Sequence, residues 1–142
     1  MTRISAALAL AVLSPLAWAQ SAVTTVEVVA NAATYVRAPV QSPPPYVLRI
    51  YRLDAMAQIS QQLSLRLPMG EEQARAYMLQ QQAQIRSRYQ AQIVNAAKGM
   101  SLAIHYRLDR LPAVVVNRHA VVYGVADVDQ AVGLYQQSKG RR

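Results

Sequence analysis

The sequence predicts an α/β fold on a mixed four-stranded sheet, and three features carry that expectation. Two alternating segments, the Val-rich Thr24–Ala30 and the mixed Tyr46–Leu53, lie ahead of the middle of the 142 residues. A long one-sided helical pattern runs from about Glu71 to Lys98. Two short apolar runs, Pro112–Val116 and Ala120–Gly124, are split by the polar triplet Asn117-Arg118-His119 near the end. Period-2 segments, a 3.6-period segment and a closing hairpin together call for strands and helices in one layered domain.

Met1–Ala19 is set apart from that domain. A basic tip at Arg3 precedes the apolar run Ile4–Leu16, and Ala17-Trp18-Ala19 offers small residues at the −3 and −1 positions before Gln20. This is the pattern of a cleaved secretory signal peptide. The run is shorter than the roughly 20 residues a membrane span requires, and no later stretch is as long and apolar. An uncleaved membrane anchor is the alternative use of the same segment. Cleavage leaves residues 20–142 as one expected domain, exported to a bacterial periplasm and without a membrane span.

The first strand is expected at Thr24–Ala30, where Val26, Val28 and Ala30 alternate with Glu27 and Val29. Asn31–Pro45 carries four prolines and no period, so it reads as a connection. The second strand, Tyr46–Leu53, puts Val47, Arg49 and Tyr51 on one face and Leu48, Ile50 and Arg52 on the other. Asp54 has the chemistry of an N-cap, and Met56, Ile59 and Leu63 space a short helix over Ala55–Leu65 that stops at Pro68. Glu71 and Glu72 suit the positive end of the long helix. Ala74, Tyr77, Met78, Ile85, Tyr89, Ile93, Ala96, Ala97 and Met100 form its apolar stripe, which can run on to His105. A coiled coil is the other use of that Gln-rich stripe. Strands at Pro112–Val116 and Ala120–Gly124 must be antiparallel across so short a link. Asp127 with Gln130 resembles a capping box, opening a last helix over Val128–Ser138 that buries Ala131, Val132, Leu134 and Tyr135.

The resulting order, strand–connection–strand–helix–helix–strand–strand–helix, is the thioredoxin-like order, with the antiparallel hairpin at the end and helices flanking the sheet. That fold places a cis X–Pro bond just before the first strand of the hairpin, and Leu111-Pro112 stands there. A trans proline that merely ends the loop satisfies the same residues.

The strand Val26–Val29, the segment VLRIYRLD at Val47–Asp54, Leu65-Arg-Leu-Pro68 and above all PAVVV at Pro112–Val116 with AVVYGVADV at Ala120–Val128 carry a family resemblance. On these residues the chain resembles a family of proteins encoded by integrating conjugative elements of proteobacteria, itself distantly similar to the F-type conjugation pilus-assembly protein TrbC. The resemblance implies a periplasmic component of a conjugative type IV secretion system. Its partners would be other periplasmic or envelope subunits of that apparatus.

Chemistry is constrained mainly by what is missing. There is no cysteine. Disulfide exchange needs a thiolate, so the redox chemistry of the thioredoxin-like fold is excluded, and no cofactor is expected. The place of the cysteine pair is taken by Asn31, Ala32, Ala33 and Thr34. The expected working surface is therefore a partner-binding one, formed by those four residues with Leu111 and Pro112. Exposed backbone there can pair with an extended partner by strand addition. His105 and His119 have no acid at a diagnostic spacing, and Ser60, Ser64 and Ser101 lack a nucleophile motif. No catalytic or metal-binding residue is assigned. Asp127 and Asp129 fit helix capping better than a calcium loop. Tyr46, Tyr51 and Tyr123 are expected at core edges with hydroxyls in solvent. The net charge of +8 is scattered, with no aromatic-interleaved basic cluster and no Phe, so an acidic partner or anionic envelope surface fits better than nucleic acid. The competing readings are a periplasmic hydrolase or isomerase on the same scaffold, and a coiled-coil adaptor centred on Glu71–Lys98.

Overall fold

The computed structural model describes residues 22–141; the leader predicted at Met1–Ala19 lies outside the described residues. Seven elements follow in order: β1 Thr25–Ala30, β2 Val47–Arg52, α1 Ala55–Ser64, α2 Glu71–His105, β3 Ala113–Val116, β4 Ala120–Tyr123 and α3 Val128–Gly140. The sheet order is β2-β1-β3-β4. β1 and β2 are parallel, and β3 runs antiparallel to both β1 and β4. This is the thioredoxin-like mixed sheet expected from the element order.

β1 and β3 occupy the centre because they are apolar on both faces. Val26, Val28, Val29, Val114, Val115 and Val116 are fully buried. Withdrawing each such side chain from water is worth about 1.5–3 kcal/mol. Strand alternation then sorts the two faces. Val26, Val28, Val114 and Val116, with Leu48, Ile50 and Val122, face α3 through Val128, Ala131 and Tyr135. Glu27, Val29, Tyr51, Ala113 and Val115 face the other way, toward the second half of α2.

α2 has 35 residues, so at 1.5 Å per residue it is about 50 Å long. A six-residue strand such as β1 spans only about 20 Å, so the helix overshoots the sheet. Its second half lies on the sheet with Ala96 and Gly99 buried. Its first half packs on α1, where Tyr89 donates to Gln62 Oε1 at 3.2 Å. The expected continuous apolar stripe is therefore only partly covered. Met78, Ile93 and Met100 remain 36–48% exposed. In α3 Ala131 and Tyr135 are buried as expected, whereas Leu134 is exposed, since it lies off the stripe that meets β3 and β4.

The tyrosines differ from expectation. Tyr51 is buried, and its hydroxyl donates to Glu27 Oε1 at 3.3 Å; burial first, then the Glu27 carboxylate, raise its pKa. The Tyr46 hydroxyl is also shut away from solvent, with no hydrogen-bond partner, and burial raises its pKa. The two rings lie on opposite sides of the sheet: Tyr46 packs against the core beneath α3, and Tyr51 lies under α2 where Gly99 makes its closest approach.

Gly99 marks the closest approach of α2 to the sheet. A Cβ there would stand 2.6 Å from Tyr51 Cβ and 3.0 Å from Leu53 Cδ2. Gly133 in α3 has open space around it. Gly99→Ala should therefore lose about 1–3 kcal/mol through overpacking despite its better helix propensity. Gly133→Ala should gain about 0.5–1 kcal/mol. Urea denaturation of the two variants checks the opposite signs.

Candidate functional site

The predicted partner-binding residues converge on one end of the sheet. Val29 of β1 faces Ala113 of β3, so the chain leaving β1 at Asn31 and the chain arriving at β3 through Leu111-Pro112 meet at that end. The Leu111-Pro112 bond is cis, as is Ser42-Pro43 in the long connection. The sheet proper starts at Ala113, one residue later than expected, because Pro112 has no N–H. Its carbonyl still accepts the Gly124 N–H at 2.9 Å, and Gly124 takes a φ of +74° there.

Loop 31–34 is held by ionic side chains from the end of β2. Both carboxylate oxygens of Asp54 accept the Ala32 N–H, at 3.0 and 2.9 Å. Arg52 donates to the carbonyls of Asn31 and Thr34, the latter at 2.8 Å. Thr34 Oγ1 donates to Asn31 Oδ1 at 2.8 Å, closing the turn. Asp54 does sit at the N-cap position of α1, but its side chain makes no capping bond, because the carboxylate is recruited by Ala32.

Opposite this lock, Leu111 is 36% exposed. Alternation along β3 directs the odd-numbered residues toward β1, as the Asn117 N–H to Thr25 carbonyl bond shows. Leu111 lies one step past the last β1–β3 pair, where the Asn31 carbonyl is already taken by Arg52. No hydrogen bond to its N–H or carbonyl occurs among the described residues. The pair Leu111–Asn31 is thus an opened ladder position with one side vacant. Arg110 stacks over the Tyr123 ring at 4.9 Å and borders it.

The connection from β1 to β2 is a strap rather than a helix, and it docks on the start of α3. Arg37 pairs with Asp127 as an isolated bridge, donating its N–H to Ala126 and accepting from Val128. The Val40 N–H reaches Asp129 Oδ2 at 2.8 Å. Asp127 caps α3 as expected, accepting from the Gln130 N–H at 3.0 Å. That bond, with help from Arg37, holds its carboxyl below the usual range.

Two polar features escaped the sequence reading. Glu27 is 5% exposed in the middle of β1. Its Oε1 meets Tyr51 and, at 3.6 Å, Arg49. It floors a shallow cleft of about 410 Å³ rimmed by Lys98, Ser101, His105 and Arg118. A lone acid inside a valine run was the signal. Asn95 on α2 is the other. Its Nδ2 donates to the Ile50 carbonyl at 2.8 Å and its Oδ1 accepts the Arg52 N–H at 3.1 Å, occupying the end of the outer edge of β2 as a neighbouring strand would. His105 lines the Glu27 cleft without bonding to it, and His119 sits in the β3–β4 turn, so the two histidines form no joint site. No group of His, Asp or Glu able to hold a metal occurs among the described residues, and no helix among them is long and apolar enough to cross a membrane.

A protein-family model matches residues 23–141, and its description is "Protein of unknown function (DUF1525)". No curated protein and no solved structure matches the chain.

Two outcomes follow from the lock and the strap. Arg52→Met should cost about 1.5–3 kcal/mol, the worth of charge-assisted hydrogen bonds, and should speed amide exchange at Ala32 and Thr34 in the loop before it does so in β1. Exchange read by NMR checks the locality. Asp127 is stabilising as a carboxylate, so its contribution is complete above the ordinary carboxyl range and is lost as pH falls through its lowered folded value. Melting temperature should therefore fall on acidification, and Asp127→Ala should flatten that fall.

Proposed function

The chain belongs to the DUF1525 family, and from that premise we propose that it is a non-catalytic periplasmic component of a conjugative type IV secretion system. In this reading it grips another envelope or pilus subunit at the end of the sheet formed by Leu111, Pro112 and loop 31–34. The observation that carries it is the vacant Leu111 backbone beside a loop that charge-assisted hydrogen bonds from Arg52 and Asp54 hold in shape. A thioredoxin-like sheet end so arranged retains a peptide-pairing position while the groups that would exchange disulfides are replaced by Asn31, Ala32, Ala33 and Thr34. The resemblance of PAVVV and AVVYGVADV to proteins of integrating conjugative elements supports the setting, and the leader pattern at Met1–Ala19 supports export.

A photo-crosslinking side chain at Leu111, in donor cells, should capture an envelope or pilus subunit. The same group at exposed Leu79, on the first half of α2, should not. Leu111→Asp should lower transfer by about tenfold or more, a loss of 1.4 kcal/mol of binding, at unchanged melting temperature. Normal transfer with a folded variant, or equal capture from both sites, overturns the reading.

A further inference from the structure

We propose that β4 is the strand-accepting edge of this sheet and that its partner is an extended segment with acidic residues flanking an apolar centre. The inference goes beyond the binding reading above: it names a second surface, apart from Leu111 and loop 31–34, and the chemistry of the partner that surface would take.

The two sheet edges are treated oppositely. On β2, the outward-facing groups of Ile50 and Arg52 are occupied by the Asn95 amide. On β4, Gly124 donates to Pro112, and the register pairs Val122 with Val114 and Ala120 with Val116. Even-numbered residues therefore bond inward, and Val121 and Tyr123 turn their N–H and carbonyl groups outward. No described residue bonds to those groups. β4 is also the last strand of the sheet.

Edges left open are usually protected by Lys, Pro, a bulge or a cover. Ala120-Val-Val-Tyr123 has none of these within it, and all four residues are half-buried. An added strand would extend both apolar faces. Charge lies at the two ends. Arg110, which pairs with Asp109 at 3.5 Å, sits over Tyr123 at one end, and Arg118, on the rim of the Glu27 cleft, stands with His119 at the other. Arg118 takes a φ of +53°, a conformation costly for a residue with a side chain. Its carbonyl accepts the Tyr106 hydroxyl at 2.9 Å, so the arginine is held at the end of the edge. Cations at both ends of an apolar strand favour a partner with anions at matching ends and repel a second copy of the same basic chain.

The probe is the peptide Ac-Glu-Val-Thr-Val-Thr-Val-Glu-NH2, compared with its Lys-for-Glu counterpart, on the full chain. The acidic peptide should slow exchange of the Val121 and Tyr123 amides and bind about tenfold or more tighter than the Lys form at low salt. Val121→Pro removes an outward N–H that no ladder bond uses, so it should abolish this protection at near-normal melting temperature. The exposed pair Arg110→Glu with Arg118→Glu provides a second variant, expected to invert the preference between peptides. Protection at Leu111 or Leu48 instead of β4, equal affinity for both peptides, or peptide-independent dimerisation through β4 overturns the inference. Crosslinking from Leu111 is read separately, so loss of the β4 result and loss of the binding reading are distinguishable.

Discussion

Everything on one side of this sheet depends on how closely α2 can lie against β2. Gly99 removes the only atom that would hold the two apart at Tyr51. With the helix that near, Asn95 reaches the edge backbone of β2, Ala96 is buried, and Tyr106 arrives at the tip of the β3–β4 turn. A wider spacing would uncover Val29 and Val115, strand the Glu27 carboxylate in a wetter gap and reopen the β2 edge. One missing methyl group thus links core burial, edge protection and the shape of the hairpin.

A second set of contacts draws the chain's distant parts together at the start of β1. Asn117, at the turn after β3, takes the Thr24 and Thr25 N–H groups on Oδ1 and donates from Nδ2 to the Ala22 carbonyl and the Tyr135 hydroxyl. Its left-handed φ of 52° is one that asparagine tolerates better than most residues. The hairpin, the first strand and α3 therefore share one side chain. At the opposite end of the sheet, Arg52 and Asp54 do similar work for loop 31–34. Strand β2 supplies both ions because it ends beside β1 in parallel register, with Ala30 facing Arg52.

Much of the architecture was legible in the residues. Alternation placed β1 and β2 within a residue of their ends, and Asp127 with Gln130 marked the start of α3. Periodicity failed where it had no means of knowing what covers a face. The stripe Ala74–Met100 has helical spacing whether or not a sheet lies against it, and only its second half meets one. Asp54 illustrates another limit: a carboxylate before a helix predicts a cap, yet a backbone N–H from 22 residues earlier claims it. The meeting of loop 31–34 with Leu111-Pro112 at one sheet end was legible through element order and the place of that proline, which are topological signals. The Arg52 and Asp54 contacts that shape it were not, because tertiary hydrogen bonds leave no period in a sequence. Glu27 and Asn95 were visible only as polar residues in apolar surroundings.

Loop 31–34 has a consequence for the surroundings in which its shape persists. This loop is held by a guanidinium and a carboxylate, and the chain contains no cysteine. Its geometry is accordingly indifferent to thiol oxidants and reductants. The same sheet end therefore keeps its shape whether its surroundings are oxidising or reducing.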